Sequence, residues 1–157
     1  MRKALCAAVL GALALPGSAL AADTTSDITG SVGSELSLSV AAPAAMTMTH
    51  ATAGTSSSLV TVTSTSPTWT LSIRDASATT PGQMDRVSGT GPASLSSPLE
   101  WKLNGAGSYN NLTATAATVT TGSLLGTVLM DFRQAVGTTE AVRAADTYSL
   151  TATYTVT

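Results

Sequence analysis

The side chains able to do acid–base or nucleophilic chemistry are few. His50 is the one histidine and Cys6 the one cysteine in 157 residues. A Ser-His-Asp hydrolase would have to run through His50, with a serine and an orienting acid brought to it in space. No G-x-S-x-G nucleophile elbow is present, and serine is so common that nearness to one says nothing. His50 shares the parity of Met46 and Met48, which reads as a histidine at a strand end or in a loop. Cys6 and His50 cannot supply the four ligands of a structural zinc site.

Carboxylates offer a second chemistry, since a pair set across a sugar could hydrolyse a glycoside. The nine acids are scattered, and Arg74-Asp75, Asp85-Arg86 and Asp131 with Arg133 read as solvated caps and pairs. A calcium loop would want closely spaced oxygen ligands of the D-x-D-x-D-G kind, and no such run occurs. Asp75 and Asp85, flanking one loop, come nearest to a cation site. The chain therefore reads as non-enzymatic, with no catalytic residue, metal ligand or cofactor assigned.

Binding chemistry remains. Sugars are held by aromatic stacking and by hydrogen bonds from neutral side chains. Trp69, Trp101, Tyr109 and Tyr154 are the candidate ligand-binding residues, drawn from six aromatic residues in all. Packing competes for them. Trp69 and Leu71 stand at i and i+2 and face one side of a strand, where a tryptophan usually joins the core. Trp101 reads the same way, with Glu100 and Lys102 pointing outward as a solvated pair.

The elements that would position these residues are strands. Apolar residues recur with period two: Leu36, Leu38 and Val40; Met46 and Met48; Val60 and Val62; Trp69, Leu71 and Ile73; Leu99, Trp101 and Leu103. Leu124, Val128, Met130 and Phe132 share a parity, as do Tyr148, Leu150, Ala152, Tyr154 and Val156. Ser and Thr fill the positions between. Thr is β-branched and carries a hydroxyl, so it suits the solvated face of a sheet. Turn signals separate the runs: Ala53-Gly54-Thr55, Thr80-Pro81-Gly82, Ser88 to Pro92, Asn104-Gly105 and Val136-Gly137-Thr138. Residues 140–146 are the best exception to the strand pattern and suit a single helical turn. The fold expected is all-β, an antiparallel sandwich of about seven to nine strands.

Composition agrees. Charged residues make up 10% of the chain, against about a quarter in most proteins, while Ser and Thr fill 48 positions. Residues 1–22 read as a secretory signal peptide, with Arg2 and Lys3 ahead of an apolar stretch, and Ala19-Leu20-Ala21 before cleavage after Ala21 or Ala22. Cleavage would leave a cysteine-free mature chain with five basic and nine acidic residues, net −4. That charge disfavours nucleic acid as a partner. No later run is long enough for a membrane helix, so no transmembrane anchor is expected in the mature chain. Residues 23–34 form a polar lead-in, and 35–157 the sandwich domain.

Two segments resemble a known family. Pro67-Thr68-Trp69-Thr70-Leu71-Ser72-Ile73 looks like the first signature of the WxL-domain surface proteins of Gram-positive bacteria. The run from Tyr148 to Thr157 looks like the second, with Tyr154 standing where Trp is usual and Val156 where Leu is usual. The resemblance implies a secreted β-sandwich held non-covalently at the cell surface, with peptidoglycan or another surface polysaccharide, or other surface proteins, as partner. The alternative is a subunit of an extracellular assembly, self-associating by strand exchange through terminal strands such as the one around Ile28, Gly30 and Val32. A carbohydrate-active enzyme stands last.

Overall fold

Alternation of apolar and hydroxyl side chains gives strands throughout. The computed structural model describes residues 33–157, so the expected signal peptide and most of the lead-in lie outside the described residues. Eleven strands form, and no helix is found among the described residues. In chain order they are β1 (Leu36–Val40), β2 (Gly54–Ser64), β3 (Trp69–Asp75), β4 (Gln83–Ser88), β5 (Ser94–Pro98) and β6 (Glu100–Leu103). Then follow β7 (Asn110–Asn111), β8 (Ala117–Gly122), β9 (Gly126–Gln134), β10 (Thr147–Ser149) and β11 (Ala152–Val156). The count exceeds seven to nine because β7 and β10 have two and three residues, and because β4 and β5 lack a clean alternation.

All pairings are antiparallel. One sheet has the order β1-β2-β9-β6-β7, the second β10-β4-β5 and the third β11-β3-β8. The two smaller sheets run end to end, because β10 and β11 are consecutive and pair with β4 and β3 in one direction: Ser149 opposes Asp85 and Ala152 opposes Asp75. A single apolar cluster joins the three. Val60, Val62, Met130 and Phe132 come from the first sheet, Leu71 and Ile73 from the third, Met84 and Leu95 from the second. The opposite faces are wet and hydroxyl-bearing, with Thr61 between Ser39 and Thr127 across the first sheet.

Turn chemistry follows the sequence at two places. Gln83 N donates to Thr80 O at 3.0 Å, and Gly82 takes φ +82° at the third position of that turn. A Cβ there would lie 2.1 Å from the Leu112 carbonyl oxygen, so only glycine fits. Gly105 takes φ +83° in the loop that returns β6 onto β7, where Glu100 opposes Asn111.

Three expectations change. Residues 41–48 form no strand and lie in irregular backbone, although Met46 and Met48 alternate with Thr. Pro43 removes a donor from this stretch. The turn expected at Ala53-Gly54-Thr55 falls earlier, where Thr49 and Thr52 exchange backbone bonds of 3.3 and 3.0 Å, and Gly54 opens β2. Residues 140–146 hold no helical turn. Glu140 N bonds Gly137 O, and Asp146 N bonds Arg143 O at 2.9 Å, forming two separate tight turns.

Candidate functional site

The candidate ligand residues divide into two pairs. Trp69 and Trp101 are each 4% exposed. The Trp69 ring lies against Gly122 and Gly126, where any Cβ would fall 2.2 Å from the ring, and its Nε1 donates to Leu124 O at 3.0 Å. Leu124 holds a left-handed φ of 51°, a strained geometry for leucine, with its carbonyl on the indole. The Trp101 Nε1 meets no acceptor among the described residues. Neither indole presents a face to solvent. Tyr109 and Tyr154 are half-buried. The Tyr109 ring is covered by Arg133, 4.3 Å from its centroid, and Lys102 at 4.8 Å.

The acids serve the loops. Asp75 is buried and accepts Gly82 N at 2.6 Å and Ser77 N at 3.0 Å, closing the loop between β3 and β4. Asp85 accepts the Ser94 and Thr80 hydroxyls at 2.7 and 2.8 Å, and these bonds hold its carboxyl below the usual range. Asp146 takes the amides of Arg143, Thr90 and Gly91 and is likewise lowered, with the Arg143 amide the largest cause. Burial pushes Glu140 up, but the Ser96 and Gly137 amides outweigh it and the carboxyl ends below its ordinary value. His50 Nε2 donates to the Glu140 carbonyl at 2.6 Å on the surface. Glu100 pairs across the sheet with Arg133 at 2.7 Å rather than with Lys102. Asp75 and Asp85 flank the same loop, yet Asp75 is taken up by that loop's amides and Asp85 by Ser94 of β5 and Thr80 of the loop. No cluster of three potential metal ligands occurs among the described residues.

A larger feature is an open seam along one side of the sandwich, with a cavity volume of about 810 Å³. One wall is Leu38 and Val40 of β1 with Met46 and Met48 beyond it; the other is Tyr148, Leu150, Ala152 and Tyr154. Buried Met84, Leu99 and Phe132 form the floor. Burial pushes the Tyr154 phenol above its ordinary value, with the Ser58 hydroxyl offsetting part of the rise.

Both walls carry free backbone. The bonds from Thr65 N to Glu35 O and from Ala41 N to Leu59 O direct the odd-numbered peptide groups of β1 toward β2. Antiparallel pairing alternates these groups, so those of Leu36, Leu38 and Val40 point to the open side. On β11, Thr157 exchanges both bonds with Thr70, at 2.8 and 3.0 Å, and Thr151 O accepts Ala76 N. Ala152, Tyr154 and Val156 therefore also face the open side. Among the described residues no strand pairs with either edge.

The sequence signal for this seam is the shared parity of its strand residues, with Tyr154 among the ligand-binding candidates. Tyr148, Leu150, Ala152 and Tyr154 have core parity, yet all four are half-buried, because no neighbouring strand covers them. Comparison with known proteins adds no identification: no protein family, no curated protein and no solved structure matches the chain.

Proposed function

We propose that the protein is a secreted, non-enzymatic surface module that works by association, and that its seam accepts an extended polypeptide segment, as in an extracellular assembly joined by strand exchange. The observation carrying this reading is the pair of unpaired strand edges facing each other across an apolar floor. Free peptide groups on an edge recruit a strand through main-chain hydrogen bonds, and pockets for alternate side chains give specificity. A sugar site needs converging neutral polar groups, whereas most of this lining is Leu, Val, Met, Ala and Tyr, with Asp146, Thr147, Ser149 and Thr151 along one wall.

Retention on wall polysaccharide is a second reading. It draws on the hydroxyl-bearing part of the outer face of the first sheet, the Ser39, Thr61 and Thr127 row. The two readings predict different consequences of Leu150→Asp, which puts a charge into the seam at a half-exposed position between strands. If the seam is the working site, sedimentation of the mature chain shows association that this variant abolishes, while the circular-dichroism melt stays as in wild type. Unchanged association in Leu150→Asp would remove the strand-exchange reading.

A further inference from the structure

We infer that the segment filling the seam is residues 23–34 of a second copy of this chain, so that subunits join head to tail. This rests on the reading of the seam as a strand acceptor. The argument has three parts: length, pattern and reach.

Residues 41–48 line one wall of the seam outside any strand, and at ~3.3 Å per residue eight residues cover at most about 26 Å. Residues 23–34 extended span about 40 Å at the same rise, enough to cover it. Their pattern places Ile28, Gly30 and Val32 on one face, with Thr29 and Ser31 on the other. An apolar face can then rest on Met84, Leu99 and Phe132, while the hydroxyls join the wet side.

Reach separates a second copy from the chain's own segment. A strand turning back at Gly33 and Ser34 would first have to travel the length of β1. Its residues 28–32 would lie beside Leu36–Val40, so Ile28 would reach only as far as Val40. The part beside residues 41–48 would be Asp23-Thr24-Thr25-Ser26-Asp27, which is polar and carries two carboxylates. In the alternation that turns Ile28, Gly30 and Val32 to the floor, the residues set on Met, Leu and Phe there would be Thr24 and Ser26, whose hydroxyls find no apolar contact and lose their water. A segment donated by another copy has no such tether and can place Ile28 and Val32 over the middle of the seam.

Donor and acceptor are different surfaces of one molecule. The contact is therefore heterologous and propagates into open chains unless a ring closes. That gives a test with two blocked variants of the mature chain. Ile28→Asp with Val32→Asp spoils the donor and leaves the seam intact. Leu150→Asp spoils the seam and leaves the donor intact, and Met48→Lys serves as a second seam variant. By sedimentation, wild type should spread over species larger than a dimer, and each blocked variant alone should run as a monomer. An equimolar mixture of the two should form a one-to-one dimer and stop there, doubling the mass. A monomeric wild type, or a mixture that stays monomeric, overturns the inference. If Leu150→Asp abolishes association while the Ile28/Val32 variant associates like wild type, the seam is an acceptor and the donor is another polypeptide. If Leu150→Asp associates like wild type, the seam reading itself is wrong.

Discussion

Replacing Trp69 with alanine separates a packing role from a ligand-contacting one. The ring is 4% exposed, and an aromatic side chain of this class buries about 150–250 Å². At about 25 cal/mol per Å² that is roughly 4–6 kcal/mol, an upper bound because the unfolded chain already hides part of it. Measured Trp→Ala costs in cores run about 3–5 kcal/mol. The indole bond to Leu124 O contributes about 1 kcal/mol net, and its carbonyl can turn to water since Leu124 is exposed. The expected loss is therefore about 4 kcal/mol, a large share of a typical domain's ~5–15 kcal/mol. Urea unfolding followed by circular dichroism and by the remaining Trp101 reads it directly. With a slope of about 1–3 kcal/mol per molar, the midpoint falls by more than roughly 1 M. Gly122→Ala and Gly126→Ala attack the same contact from the other side, since each new Cβ would fall 2.2 Å from the ring. Each should cost about 1–3 kcal/mol by overpacking. A loss below about 1 kcal/mol for Trp69→Ala, with strand content intact, would refute the packing argument and return Trp69 to the ligand-binding candidates.

Asp75→Ala leaves the Gly82 and Ser77 amides without their acceptor in a buried loop and should cost about 2–4 kcal/mol in urea unfolding. The lowered carboxyls of Asp85, Asp146 and Glu140 make the unfolded chain the better proton acceptor in acid. Their stabilisation is therefore complete above the ordinary carboxylate range and is lost as pH falls through the folded values, so thermal melts should drop below about pH 4. Asp146→Asn together with Glu140→Gln should flatten that drop, and an unchanged acid limb would contradict the assignment. Tyr154 and Tyr148 have raised phenol values from burial, so ultraviolet titration should show tyrosines ionising later than a model phenol, with stability lost as pH rises past about 10. Leu124→Gly relieves the left-handed backbone and should be neutral or slightly stabilising in the same melts.

Strand identity was legible wherever alternation ran unbroken. Val60, Val62, Leu71, Ile73, Met130 and Phe132 all enter the core at the parity read from sequence. β4 and β5 were less legible, because Met84 and Leu95 sit in short segments rich in charge, Ser and Pro that show no period. Cross-strand chemistry was not legible at all. Glu100 meets Arg133 because β6 pairs with β9 in that register, a long-range fact that neighbouring residues do not encode. Likewise, Asp75 looked like half of an Arg74-Asp75 surface pair, and only the return of the loop at Gly82 makes it a buried acceptor.

The seam shows why parity alone could not locate the candidate site. Period two says which face of a strand is apolar; it does not say whether another element covers that face. Leu38, Tyr148 and Tyr154 carry the same signature as Val62 or Leu71 and differ in standing at sheet edges, with Leu150 in the link between β10 and β11. An edge of this kind is usually protected by charge, by proline or by cover. Here Pro43 stands just past β1, while the inward face of β11 carries Ala152, Tyr154 and Val156 and no charge. A strand pair that leaves both edges unpaired and its floor apolar is costly for a protein meant to stay alone. It is economical for one whose missing strand arrives from outside, because the backbone bonds and the apolar burial withheld on folding are then released on association.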